Sequence, residues 1–236
     1  MSKMKTFSAF AAASAVAVLM GSAAGAATLS LVGGQLGSIP DGAVNDGLAE
    51  LGLNNPLDGY YGANVWLDGP AKVTVTLLGS EAGYINSFHF AGETLTAGNN
   101  ATVEAGGVKG IWDASGALGQ IVANVSGSGF LDFWFTSNGS DPVYNMGTNP
   151  SEAGTNPGGP ADGITSFFAS FAGNERGTSG NSLYLFLDDG GAGPDDNHDD
   201  LVLLVSVAPI PLPAAGWLLL GGLGALGVAR RRRKAA

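Results

Sequence analysis

The 236-residue chain contains no cysteine, which excludes a disulfide framework, a thiolate metal site and a cysteine nucleophile. Histidine is nearly as scarce. His89 and His198 are the only two, too few for an ordinary three-histidine zinc site, and no Gly-x-Ser-x-Gly elbow accompanies them to point to a serine triad. Basic side chains are short in the middle of the chain. Of ten Lys and Arg, only Lys72, Lys109 and Arg176 lie between Ala27 and Ala208, against all twenty acidic residues, so three minus twenty gives that stretch a formal charge of −17. Such a body is unsuited to nucleic acid, whose phosphates are bound by Lys and Arg. Its charge favours solubility and an affinity for cations.

Long apolar runs are also few, and they sit at the two ends. Lys3 and Lys5 precede an almost wholly apolar stretch from Phe7 to Met20, and Ala24-Gly25-Ala26 follows. Basic, apolar and small-residue regions in that order predict a secretory signal peptide, cut after Ala26, with the secretory translocon and signal peptidase as partners. At the other end, Pro209-Ile-Pro-Leu-Pro213 leads into an uncharged run from Ala214 to Ala229, closed by Arg230, Arg231, Arg232, Arg233 and Lys234. Backbone polar groups in lipid must be satisfied internally, so this run is expected to be a transmembrane helix. At about 1.5 Å per residue it reaches only about 24 Å, short of a hydrocarbon core of about 30 Å. The arginine cluster is expected to stay cytoplasmic as a stop, which leaves everything before Pro209 outside.

The tail as a whole, with Ile210-Pro211-Leu212-Pro213-Ala214 at its entry, resembles the sorting signal of PEP-CTERM proteins, and within them the VPLPA-CTERM variant; Ile210 stands where that pattern has Val. The resemblance implies recognition by an exosortase-type membrane protease of a Gram-negative bacterium. It also implies cleavage near the proline motif, transient anchoring in the inner membrane, and release or transfer to the cell surface. An ordinary tail anchor is the alternative, although it needs no Pro-Leu-Pro entry and usually spans a full bilayer. The chain therefore divides into a signal peptide (1–26), an exported domain (27–208) and a C-terminal sorting region (209–236).

Within 27–208 the apolar segments are short, rich in Val, Ile, Phe and Thr, and separated by clusters of Gly, Asn, Asp and Pro, the pattern of many short strands. Val73–Leu77 alternates with period two. Further strands are expected at Thr28–Val32, Ala63–Leu67, Ile85–Phe90, Ala101–Glu104, Gly107–Trp112, Gln120–Val125, Phe130–Phe135, Ile164–Phe171, Leu183–Leu187 and Leu201–Val207. Asn138-Gly139 suits a tight turn, Ala43–Leu51 a short helical turn, and residues 145–163 a long surface loop. Together these predict an all-β fold, an antiparallel β-sandwich of jelly-roll type.

The densest chemistry is a hairpin. Leu183–Leu187 and Leu201–Val205 read as strands buried on both faces, and between them Asp188 to Asp200 carries six aspartates in thirteen residues. Pinned carboxylates repel one another, and Ca²⁺ relieves such repulsion with about six to eight oxygen ligands. Asp188, Asp189, Asp195, Asn197, Asp199 and Asp200 are the candidate ligands, with Asp196 facing water. The regular Asp-x-Asp-x-Asp-Gly spacing of an EF-hand is absent, and a solvated acidic turn is the competing reading.

In Gly79–Phe88, Gly79 and Gly83 are expected to make a turn, Tyr84, Phe88 and Phe90 to fill a core, and Glu81 and Asn86 to join a hydrogen-bonded turn or bind a ligand. This segment and Asp188–Asp200 are similar to phrases recurring in other exported proteins with the same tail, a kinship that implies no activity. Tyr60, Tyr61, Trp66, Trp112 and Trp134 suit either core packing or stacking on sugars. The sequence thus points to a non-enzymatic envelope or matrix protein, with a Ca²⁺-dependent carbohydrate-binding module associated with exopolysaccharide as the alternative.

Overall fold

Alternating and continuous apolar segments become strands of two antiparallel sheets. The computed structural model describes residues 27–40, 47–98, 102–104, 107–138, 140–145, 165–189, 198–210, 221–224, 226 and 230–231. The first half contains β1 (Leu29–Ile39), α1 (Gly47–Glu50), β2 (Leu57–Leu67), β3 (Ala71–Ser80), β4 (Ile85–Phe90), β5 (Glu93–Gly98), β6 (Thr102–Glu104), β7 (Gly107–Lys109) and β8 (Ile111–Trp112). Then follow β9 (Gln120–Val125), β10 (Gly129–Phe130), β11 (Phe133–Ser137), β12 (Ser140–Tyr144), β13 (Ser166–Phe171), β14 (Ser179–Gly180), β15 (Ser182–Asp188) and β16 (Leu201–Pro209).

The larger sheet runs β14-β1-β2-β13-β15-β16-β3-β8, with β10 beside β2 and β9 beside β3; the smaller runs β12-β11-β4-β5, and β6 and β7 form a separate ribbon. The inner faces of the two sheets share one core. Phe88, Phe133 and Phe135 of the small sheet meet Phe167 of the large one, with centroid separations of 5.2 Å for Phe88–Phe133, 5.6 Å for Phe133–Phe167 and 5.5 Å for Phe135–Phe167. All four are essentially inaccessible, and burying each such side chain stabilises by about 1.5–3 kcal/mol. This is an all-β sandwich.

A second core lies on the opposite face of the large sheet, where Ile39, Leu57, Tyr61, Leu78, Phe168, Phe186 and Val202 are covered by Leu48 of α1, with Leu51 and Leu53 packed against them. Double coverage explains why β15 and β16 are continuous apolar runs: one face lies in the first core and the other is largely covered by the second, with Tyr184 and Leu204 partly exposed. Their predicted hairpin is present, with Leu187 opposite Leu201 and Leu183 opposite Val205.

Several expectations change. Gly107–Trp112 divides into β7, which pairs with β6, and β8, which pairs with β3. Phe130–Phe135 is two strands, because the chain changes sheets there: Phe130 pairs with Trp66 of β2, whereas Phe133 pairs with Phe90 of β4. Gly79 makes no turn with Gly83 but lies inside β3 under Trp112, whose ring would stand 2.1 Å from an added Cβ. Tyr84 is 37% exposed, not part of the core that Phe88 and Phe90 help to fill.

The expected signal peptide with Ala24 and Ala26, most of the expected loop 145–163, and Pro211, Leu212, Pro213 and Ala214 lie outside the described residues. So do Arg232, Arg233, and much of the expected membrane span. Ile210 is half-buried, while Gly221–Gly224, Leu226, Arg230 and Arg231 are helical and exposed. No helix among the described residues is long and apolar enough to cross a membrane.

Candidate functional site: an acidic corner between the sheets

β15 ends and β16 begins at one corner of the sandwich, and the aspartates flanking the hairpin are held there by backbone bonds. The Asp200 N–H donates to the Leu187 carbonyl at 3.2 Å. The Asp189 N–H donates to Asp200 Oδ2 at 2.8 Å. Ser80 Oγ, at the end of β3, donates to the Asp200 carbonyl at 2.7 Å, and the Glu81 N–H donates to the Asp199 carbonyl at 3.0 Å. Thr165 Oγ1 donates to the Asp189 carbonyl at 3.1 Å.

Of the six ligands expected from sequence, the four described ones, Asp188, Asp189, Asp199 and Asp200, lie at this corner, close enough for the charges of the other three to act on Asp200. Successive side chains on a strand point to opposite faces, so Asp188 and Asp189 diverge. Asp189 takes the parity of Leu185 and Leu187, which face the small sheet, and its Oδ2 accepts a 2.8 Å bond from Nδ2 of Asn86 on β4. Asp188 takes the parity of Phe186, on the side of the second core, opposite Ser166 of β13. Asp199 Oδ2 accepts from the Gly47 N–H of α1 at 3.4 Å, also on that side. Among the described residues, accordingly, no three Asp, Glu or His side chains converge to hold a metal ion. Asp195, Asp196 and Asn197 lie outside the described residues.

The corner is nonetheless deeply buried. Asp188, Asp189 and Asp199 are 5%, 3% and 2% exposed, and Asp200 is half-buried. Burial, and then the charge of Asp189, push the Asp200 carboxyl well above the usual carboxylate range, against the lowering effect of the N–H it accepts; Asp199 and Asp188 raise it further. His198 is buried too, with φ of 56°, and its ring packs against Tyr61 and Phe168 at 5.4 and 6.3 Å. It is thus part of the second core's wall.

Asn86 is the residue that sequence reading undervalued. It is fully buried, its Nδ2 also reaches the Asp200 carbonyl at 3.3 Å, and its Oδ1 makes no hydrogen bond. Ser166 Oγ is likewise buried without a bond. The only sequence signal for Asn86 was a polar residue at an inward position of the Ile85–Phe90 alternation.

Of the aromatics weighed for sugar stacking, Tyr61 is core, and half-buried Trp112 and Tyr60 pack against the second and first cores. Trp66 packs edge-on to Phe130 at 5.0 Å. Trp134 is different: on the outer face of the small sheet it stacks between His89, at 4.9 Å, and Tyr144, at 6.1 Å. His89 bridges Thr94 and Thr136 through its two ring nitrogens at 3.0 and 2.9 Å, from the outward face of β4. No family model, no curated protein and no solved structure matches the chain.

Proposed function

We propose that the chain is a non-enzymatic exported protein of the cell envelope or extracellular matrix. It is delivered by an N-terminal signal peptide, held briefly in the inner membrane by its C-terminal helix, and cut by an exosortase-type protease. The observation that carries this reading is the tail, in which Ile210–Ala214, an uncharged run and Arg230–Arg233 follow one another.

The fold is compatible with loss of both ends. Ala27 is already buried, and Thr28, two residues past the expected signal cleavage, is tied to Asp68 through both its N–H and its hydroxyl at 2.6 Å. At the other end β16 pairs with β3 through to Pro209 opposite Ala71, so the last sheet contact stops where the sorting motif starts. The jelly-roll reading belongs to this proposal; it is supported by four crossings between the sheets, at β3–β4, β5–β8, β10–β11 and β12–β13.

Co-expression with an exosortase in a Gram-negative host tests the proposal. Intact-mass analysis should show loss of the basic tail, and Pro211→Ala with Pro213→Ala should retain it. A chain whose C-terminus is untouched by the protease would refute the reading.

A second reading, a Ca²⁺-dependent carbohydrate-binding module, draws support from the outer face of the small sheet, where the rings of His89, Trp134 and Tyr144 are flanked by Thr94, Thr96 and Thr136 hydroxyls and by no charged strand residue among the described side chains. Glycan-array binding by the wild type that Trp134→Ala abolishes would favour it.

A further inference from the structure

We propose that β9 is a docking edge for a second copy of this chain, the two strands pairing antiparallel so that the large sheet runs on from one protomer into its partner. The proposal goes beyond the sorting reading, since it concerns the body whichever way the tail is handled.

An edge strand leaves backbone N–H and C=O groups unpaired, and proteins guard such edges with charge, proline, bulges or shortness. The other edges here carry guards. β12 contains Pro142, β5 the exposed Glu93, and β1 a register shift at Gly34, while β8 and β14 are two residues each. β9 has none of these: Gln120–Val125 lacks charge and proline, and its register with β3 runs unbroken from Ala71↔Val125 to Thr76↔Gln120. Among the described residues, its other side pairs with no strand.

The groups at the open side follow from the register. The Leu77 N–H donates to the Gly119 carbonyl at 3.0 Å, and opposite residues of an antiparallel pair alternate between bonded and non-bonded. Ile121, Ala123 and Val125 therefore turn their backbone groups to β3, and Gln120, Val122 and Asn124 turn theirs outward. A second β9 laid antiparallel matches them: Val122 bonds the partner's Val122, and Gln120 bonds the partner's Asn124 on either side of that centre.

The side chains suit the same register. On the outer face Val122, 48% exposed, meets its own copy, and the exposed amides of Gln120 and Asn124 lie opposite each other, each able to donate and accept. On the inner face Ala123 and Val125 pack against the first core but are only partly buried, so the core is open at this flank and another strand would cover it.

Charge decides for a second copy. Residues 114–131 are the longest uncharged run between 27 and 208, so two copies meet here without setting like charges opposite, which destabilises a strand pair. A basic partner would find no carboxylate on this edge to hold it. Elsewhere the two bodies repel, so added salt should strengthen the pairing.

Light scattering on the purified full-length chain in detergent micelles should show a monomer–dimer equilibrium that shifts to dimer as NaCl rises. Val122→Lys should weaken association about tenfold or more by placing two ammonium groups at the centre. Val122→Cys, in a chain without cysteine, should give an oxidised dimer, because bonded pairs hold their Cα atoms about 5.5 Å apart, within disulfide reach. Gln120→Cys should not, since its two copies stand four residues apart along the strands, roughly 13 Å, beyond the limit of about 7 Å. All three changes fall on exposed outer positions, and melting curves should show the fold retained. A chain that stays monomeric, a dimer that Val122→Lys leaves intact, or cross-linking by Gln120→Cys in place of Val122→Cys would overturn the proposal. None of these readouts bears on exosortase cleavage, which is read by mass.

Discussion

Asn145 shows how one polar side chain can join two sheets. It is fully buried; its Oδ1 accepts from the Val65 N–H, and its Nδ2 donates to the carbonyls of Val65 and Leu131, each at 2.8 Å. Its own N–H donates to Phe133 at 3.0 Å. The side chain thus satisfies backbone groups of β2 in the large sheet and of the Leu131 turn that leads into the small one. Asn145→Ala would remove three bonds and leave buried groups behind, each costing about 1–3 kcal/mol. We expect a loss of about 3 kcal/mol or more in chemical denaturation, with Asn145→Asp recovering only part of it because a carboxylate cannot donate to the two carbonyls.

His89 gives the residue-scale pH dependence. Burial lowers its pKa from the ordinary 6.5, and the groups packed around it, Thr94 on β5 and Thr136 and Trp134 on β11, are uncharged. With the folded value below the unfolded one, the unfolded chain takes up the proton first. Its contribution to stability is therefore complete above pH 6.5 and falls away as the pH drops through the folded value. Melting curves between pH 8 and pH 5 should show the wild type losing stability relative to His89→Gln below about 6.5, and a constant difference above it.

At the scale of elements, legibility followed burial. Ile85–Phe90 and Gln120–Val125 have the predicted bounds, and the two central runs form their hairpin, because alternation and unbroken apolarity are direct imprints of one or two covered faces. β5 escaped notice because its turn is Ala91-Gly92, both at positive φ, without the Asn-Gly or Asp-Gly that advertises such a hairpin. β12 was hidden by Pro142, which argues against a strand except at a sheet edge, and the edge is where β12 lies.

The beginning of β2 contains Gly59 and Gly62, so its local preference is a turn; pairing with β1 along ten positions overrides it. β1 outgrew its prediction in the same way, through Gly33 and Gly34 at positive φ. Register passes from Gly33↔Ala63 to Gln35↔Tyr61, and a Cβ on Gly34 would lie 2.7 Å from that of Ala63. The acidic hairpin was visible as composition. Its division between the faces was not, because that depends on the strand continuing to Asp188, and Asn86, already singled out for a turn or a ligand, gained its partners only when a second sheet was laid against the first.

At the scale of the whole molecule, charge of one sign dominates. A formal −17 over residues 27–208 makes the compact state repel itself, and repulsion between exposed charges is screened over a Debye length of about 10 Å at 0.1 M salt. Favourable pairs are too few to reverse this: Arg176 with Asp58 is an exposed bridge, which solvent screens to little net worth. Raising NaCl from about 0.05 M to 0.5 M should therefore raise the melting midpoint gradually, without saturation. Differential scanning calorimetry over a series of NaCl concentrations reads the shift. A midpoint that falls as NaCl rises would mean that attractive pairs, not repulsion, govern the body's electrostatics.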